Sequence, residues 1–175
     1  RPIRSFVIRS GRMTAGQKLG LNSHLEQWGL TLSDKTIDFS AAFNNQNPLV
    51  MEIGFGMGDS LAEMAEANPQ WNFIGVEVHT PGVGRLLSLV ENKSLANVRV
   101  FSDDAVKVLQ QCTAANSLNR VNIYFPDPWH KTKHHKRRLI QTEFLTLVHS
   151  RLETGGLLHI ATDWQDYANY VLKLM

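Results

Sequence analysis

A chain of 175 residues with 43% hydrophobic and 19% charged content carries enough apolar material for one packed domain. Its longest apolar runs are strand length, which excludes a transmembrane helix, and no segment reads as a secretory h-region. The formal charge of +2 conceals an asymmetry: ten of the 18 basic residues fall in two short segments, leaving eight bases against 16 acids elsewhere. Two basic segments on an acidic body fit a directed polyanion site better than general solubility charge. The lone Cys112 cannot form an internal disulfide, so a buried thiol, a reducing compartment and a cytoplasmic location are expected.

In chain order, residues 1–15 form an arm with Arg1, Arg4, Arg9 and Arg12 and no lasting apolar period. The spacing of Leu21, Leu25 and Trp28 predicts a helix over Gln17–Trp28, and Thr31–Pro48 reads as a polar connector. Residues 1–47 are therefore taken as arm, helix and connector, and 48–175 as the main domain.

From Pro48 the pattern alternates. Strands are predicted at 49–53, 73–77, 98–101, 121–125 and 157–161. Helices are predicted at Ser60–Ala67, Pro81–Val90 behind a Thr80 cap, Ala105–Gln111, Leu139–Arg151 and Gln165–Leu174. Short apolar strands alternating with helices predict an α/β fold, a doubly wound parallel sheet covered on both faces.

Three strand ends carry chemistry. Glu52-Ile53-Gly54-Phe55-Gly56-Met57-Gly58 joins the first strand to its helix, and Gly54, Gly56 and Gly58 permit a tight turn and close ligand approach. Such a turn also occurs with no ligand at all. Glu77 ends the second strand, 23 residues after Gly54, where an acid commonly binds ribose hydroxyls. Asp103-Asp104-Ala105 ends the third, where a carboxylate can accept from an adenine amino group. Glu52 would repel a pyrophosphate and favour a cationic ligand such as S-adenosylmethionine; the plainer alternative is a paired strand-end charge.

The fourth strand ends in Phe125-Pro126-Asp127-Pro128-Trp129, followed by Lys131, Lys133, Lys136, Arg137 and Arg138. This places a carboxylate and a rigid turn beside a positive strip, at the sheet end where open α/β folds bind ligands. Trp129 has two readings, stacking on a base or filling the turn, and packing is favoured. His130, His134 and His135 lack the cysteines and spacing of a zinc site, so no metal is expected.

Together these motifs resemble the bacterial tRNA (guanine-N7)-methyltransferase family. The matching stretches are Ser5–Gln17, Pro48–Gly58, Phe73–Gly84, Phe125–Arg138 and Ala161–Trp164. The resemblance implies a Rossmann-like class I S-adenosylmethionine-dependent methyltransferase acting on the position-46 guanine of tRNA. It implies Glu52, Gly54, Gly56, Gly58, Glu77, Asp104, Ala105 and Asp127 at the cofactor, with Asp127 also catalytic. Lys131 and Asp163 would contact substrate, and Lys133, Lys136, Arg137 and Arg138 would track the RNA backbone. It also implies a T-x-[FY]-E segment and two further strands beyond Met175, so the chain is read as C-terminally incomplete. A monomer or weak homodimer without membrane contact is expected. Two alternatives remain: an exocyclic-amine methyltransferase, whose [DN]-P-P-[FYW] motif P-D-P-W does not match, and a non-catalytic RNA-binding module on the same fold.

Overall fold

The computed structural model describes residues 5–6 and 12–175, so Arg1, Arg4 and Arg9 of the basic arm lie outside the described residues. The four predicted inner strands form as β2 (Leu49–Ile53), β3 (Asn72–Val76), β4 (Val98–Phe101) and β5 (Leu118–Tyr124). β2 and β3 are buried along their whole length, which is why they read as continuous apolar runs rather than alternating ones. Two strands differ from expectation. β1 (Gly29–Leu30) is a two-residue edge pairing with Val100 and Phe101, too short to leave a periodic signal. β6 (Leu152–Ala161) begins five residues early, because pairing with β5 continues through a bulge where Gly155 takes φ 83°.

All pairings are parallel, in the order β1-β4-β3-β2-β5-β6. The chain winds outward from β2 through β3 to β4, then crosses back to β5 and β6. The reversal falls between β2 and β5, and the loops leaving those strands' C-terminal ends diverge there to leave a crevice.

Helices cover both faces: α1 (Ala15–Trp28), α2 (Phe39–Phe43), α3 (Asp59–Ala67), α4 (Thr80–Asn92), α5 (Ala105–Lys107), α6 (Thr142–Arg151) and α7 (Gln165–Leu174). α5 is shorter than predicted because the chain continues as a π turn over Val108–Cys112. Alternate side chains of β2 serve opposite cores. Met51 and Ile53 pack with Phe101, Val121, Ile123, Val148 and Tyr167, whereas Val50 packs with Leu61, Phe73, Leu86 and Val98. Cys112 is buried in the first of these cores. α1 starts in a capping box between Thr14 and Gln17 and lies tightly on α4. A Cβ at Gly20 would stand 2.1 Å from the Gly84 carbonyl oxygen, so this crossing requires the glycine. The N-terminal helix and β1 are thus built into the same body as the sheet.

Candidate active site

At the C-terminal ends of β2–β5 the loops enclose a cleft of about 220 Å³. Of the residues expected at a cofactor, Gly54, Glu77, Asp104, Ala105 and Asp127 line it, joined by Asp103, Phe125 and Leu139. Glu52, Gly56 and Gly58 are not part of that lining: Glu52 and Gly58 are buried and Gly56 is exposed.

The glycine turn explains this division. Gly54 has φ 73° and nothing within 4 Å of a would-be Cβ, so its backbone is open toward the cleft. Gly58 caps α3 and is pressed against Leu86, 2.7 Å from where a Cβ would sit. Its place is helix entry rather than ligand contact. The Gly56 N–H donates to Glu77 Oε2 at 2.9 Å, while Glu77 Oε1 accepts from the amides of Val78 at 2.7 Å and His79 at 2.9 Å. The Glu77 carboxylate therefore ties the glycine turn to the end of β3 and still faces the cleft. Asp104 caps α5 by accepting from the Val106 amide at 2.9 Å, and Asp103 Oδ1 accepts from the Asp104 amide at 2.7 Å.

Glu52 is the anomaly of the site. The residue is 3% exposed, and Oε2 has no hydrogen-bond partner among the described residues. Burial raises its pKa from the ordinary 4.5 to about 7. A solvent-excluded carboxylate with an orphaned oxygen is costly unless a donor arrives from outside the chain.

The turn after β5 is held by strain and by one buried cation. Phe125 and Trp129 adopt φ 49° and 48°, left-handed values that aromatic residues rarely take. Arg138, expected on the RNA-facing rim, is instead 2% exposed. Its Nε donates to the Pro128 carbonyl at 2.8 Å and its Nη2 to Asp166 Oδ2 at 2.8 Å. The guanidinium lies 4.8 Å from the Tyr167 ring centroid and 4.9 Å from that of Tyr170. Its planar fork bridges the turn and α7 while the two rings shield it, so it is an internal strut. The positive strip is thereby partly neutralised: Asp166 pairs with Arg138, whose hydrogen bond holds the carboxyl below the usual carboxylate range.

Lys131, Lys133 and Lys136 are exposed, the latter two on a 3-10 turn spanning Thr132–Arg137. Arg137 stacks 3.9 Å over the Trp129 ring, whose Nε1 donates to the Ser5 carbonyl at 3.2 Å. Trp129 therefore packs, as the sequence favoured. Partial desolvation, and then the charges of Lys133, Arg137, Lys131 and Lys136, hold His134 below the ordinary imidazole value. Asp163 lies on the loop after β6, outside the cleft lining. The edge-to-face contact of His130 with Trp164, ring centroids 4.2 Å apart, brings that loop against the Asp127 turn. No metal-binding cluster occurs among the described residues, and no described helix is long and apolar enough to cross a membrane.

A family model described as "putative methyltransferase" matches residues 46–175. A tRNA (guanine-N(7)-)-methyltransferase of Pseudomonas syringae is 55% identical over the whole chain, which covers 72% of that protein. The enzyme of the same name from Hydrogenovibrio crunogenus is 53% identical, with 73% of its length covered. The chain belongs to the tRNA (guanine-N7)-methyltransferase family. The fold is that of class I methyltransferases: a precorrin-6y C5,15-methyltransferase of Geobacter metallireducens superposes with a TM-score of 0.58 at 14% identity, over 99% of this chain and 79% of that one.

Sequence reasoning placed Arg138 on the wrong side of the turn and missed Phe125. Arg138 is followed at once by the apolar pair Leu139-Ile140, a hint that the basic run turns inward. Phe125 gave no signal, because its exposure depends on the sign of one backbone dihedral.

Proposed function

We propose that the protein transfers a methyl group from S-adenosylmethionine to N7 of a guanine in tRNA, the variable-loop guanine at position 46. The observation that carries this reading is a carboxylate turn, Asp127, opening onto the same cleft as Gly54, Glu77 and Asp104, with exposed lysines on the adjoining 3-10 turn. The full-length identity to enzymes of that name supports it. The residues present fit the cofactor. Carboxylates at neighbouring strand ends suit hydroxyls, an exocyclic amine and positive charge, and the orphaned Glu52 Oε2 lacks the donor that an ammonium provides.

When bound, S-adenosylmethionine supplies an electrophilic methyl on a sulfonium. Guanine N7 offers an in-plane lone pair and carries no proton, so the protein need not remove one before attack. Its residues have two tasks: to align the base with the methyl, and to stabilise the positive charge that develops on the guanine ring. Asp127, held between Pro126 and Pro128, is the catalytic group for the second task. Glu77 holds the ribose hydroxyls, Asp104 with the Ala105 amide meets the adenine, and Glu52 balances the cofactor's charge. Asp163 accepts from the Watson–Crick edge of guanine and Lys131 grips a phosphate. Lys133, Lys136 and Arg137 follow the RNA backbone.

Incubation with total tRNA and mapping of the modified base tests the reading. The expected product is 7-methylguanosine at position 46, made at a severely reduced rate by Asp127→Asn. Methylation of an exocyclic amine, or an Asp127→Asn enzyme as fast as wild type, would refute it.

A further inference from the structure

Phe125 imposes two costs on the fold, and no core contact in the structure offsets them. Its backbone sits at φ 49°, in the left-handed region that a β-carbon disfavours. The residue is 66% exposed and belongs to neither hydrophobic core. The conformation is nonetheless fixed, because the Phe125 amide donates to the Ala161 carbonyl at 2.8 Å and Pro126 follows at once. This bond locks the end of β5 to the end of β6 and places Phe125 in the cleft lining, two residues from Asp127. Strain held in place by its surroundings at a cleft wall is the signature of a group kept for a ligand.

The neighbouring aromatics are already engaged. Trp129 is covered by Arg137 on one face, meets the edge of His134 with centroids 5.9 Å apart, and donates its indole N–H to Ser5. Trp164 meets His130 edge-on. Enzymes with an acid-Pro-Pro-aromatic motif place the ring after the acid; in this turn the ring after the acid packs inward and the ring before it is free to face a planar ligand.

We propose that Phe125 is the stacking platform for the target guanine. Its face holds the base out of the RNA stack and presents the N7 edge to the methyl donor beside Asp127. This rests on the reading that the cleft methylates guanine. Stacking depends on a flat π surface rather than on hydrophobic volume. The sensitive comparison is therefore Phe125→Leu against Phe125→Tyr and Phe125→Trp.

The test is single-turnover methylation of tRNA at saturating S-adenosylmethionine, with cofactor affinity measured by calorimetry and folding by thermal melting. Phe125→Tyr and Phe125→Trp should stay within a few-fold of wild type, roughly the scatter among aromatic faces. Phe125→Leu and Phe125→Asn should lose about tenfold to a hundredfold in kcat/KM for tRNA, the range that one base–aromatic stack spans. Their cofactor affinity should be unchanged. Phe125→Asn should melt at or above the wild-type temperature, since asparagine tolerates the left-handed conformation and no core contact is removed. That variant separates a loss of stacking from a loss of folding. A Phe125→Leu enzyme as fast as wild type would overturn the proposal while leaving the guanine reading intact. So would a parallel loss of cofactor affinity, which would place the ring against the cofactor. A wild-type protein that methylates no guanine would remove the reading and the proposal together.

Discussion

Glu52 is buried behind the glycine turn, and its pKa is raised from 4.5 to about 7 by desolvation. Between those two values the folded protein retains a proton that the unfolded chain has released. Stability therefore falls as pH rises through this window and levels off above it. At about 1.4 kcal/mol per pH decade, the whole interval amounts to about 3 kcal/mol. Glu52→Gln has the same shape and does not titrate. Any cost of burying its amide is independent of pH, so the difference in stability between variant and wild type isolates the carboxylate. That difference should grow in favour of Glu52→Gln by about 2–3 kcal/mol from about pH 5 to about pH 8, where most of the window is crossed. The corresponding gain in melting temperature is about 5–10 °C for a domain of this size. Urea titrations of the cofactor-free protein at a series of pH values measure it. Stability curves that run parallel for the two proteins would show that Glu52 ionises as it does in water, and the burial argument would fail. The same replacement should weaken S-adenosylmethionine binding. In the wild type, cofactor affinity should rise with pH up to about 7, as the carboxylate ionises to meet the positive ligand.

The internal position of Arg138 predicts a change in stability rather than in salt dependence. Arg138→Met removes the hydrogen bonds to Pro128 and Asp166 and should cost roughly 2–4 kcal/mol in urea unfolding. Arg138→Lys should recover only part of that, since an ammonium cannot reproduce the planar fork. An Arg138→Met protein as stable as wild type would refute the strut. Replacing Lys133, Lys136 and Arg137 together with alanine should instead leave cofactor binding intact and reduce the slope of log K for tRNA against log[salt] by about 2–3. An unchanged slope would mark the strip as ordinary solvated surface.

Much of the architecture is written locally. Leu49–Ile53, Phe73–Glu77 and Val121–Phe125 are apolar runs closed by glycine, an acid or proline, and such runs need both faces buried to be stable. Parallel pairing and a crevice at the strand ends follow from their alternation with helices, and so does the grouping of Gly54, Glu77, Asp104 and Asp127. The strand-end acids required no knowledge of side-chain direction, because a strand end is a place in the fold. Other features arise only once distant segments meet. β1 exists because Val100 and Phe101 offer a free edge to Gly29 and Leu30, and β6 starts at Leu152 because β5 extends its pairing through the Gly155 bulge. Side-chain direction within the basic turn was equally hidden. Arg137 and Arg138 are adjacent and chemically identical, yet one lies on Trp129 at the surface while the other is drawn inward by Pro128, Asp166 and two tyrosines from α7. Pattern and composition decide which residues reach the cleft end of the sheet. Which of them face the ligand is decided by single backbone dihedrals and by partners many residues away, as Phe125 shows through its bond to Ala161.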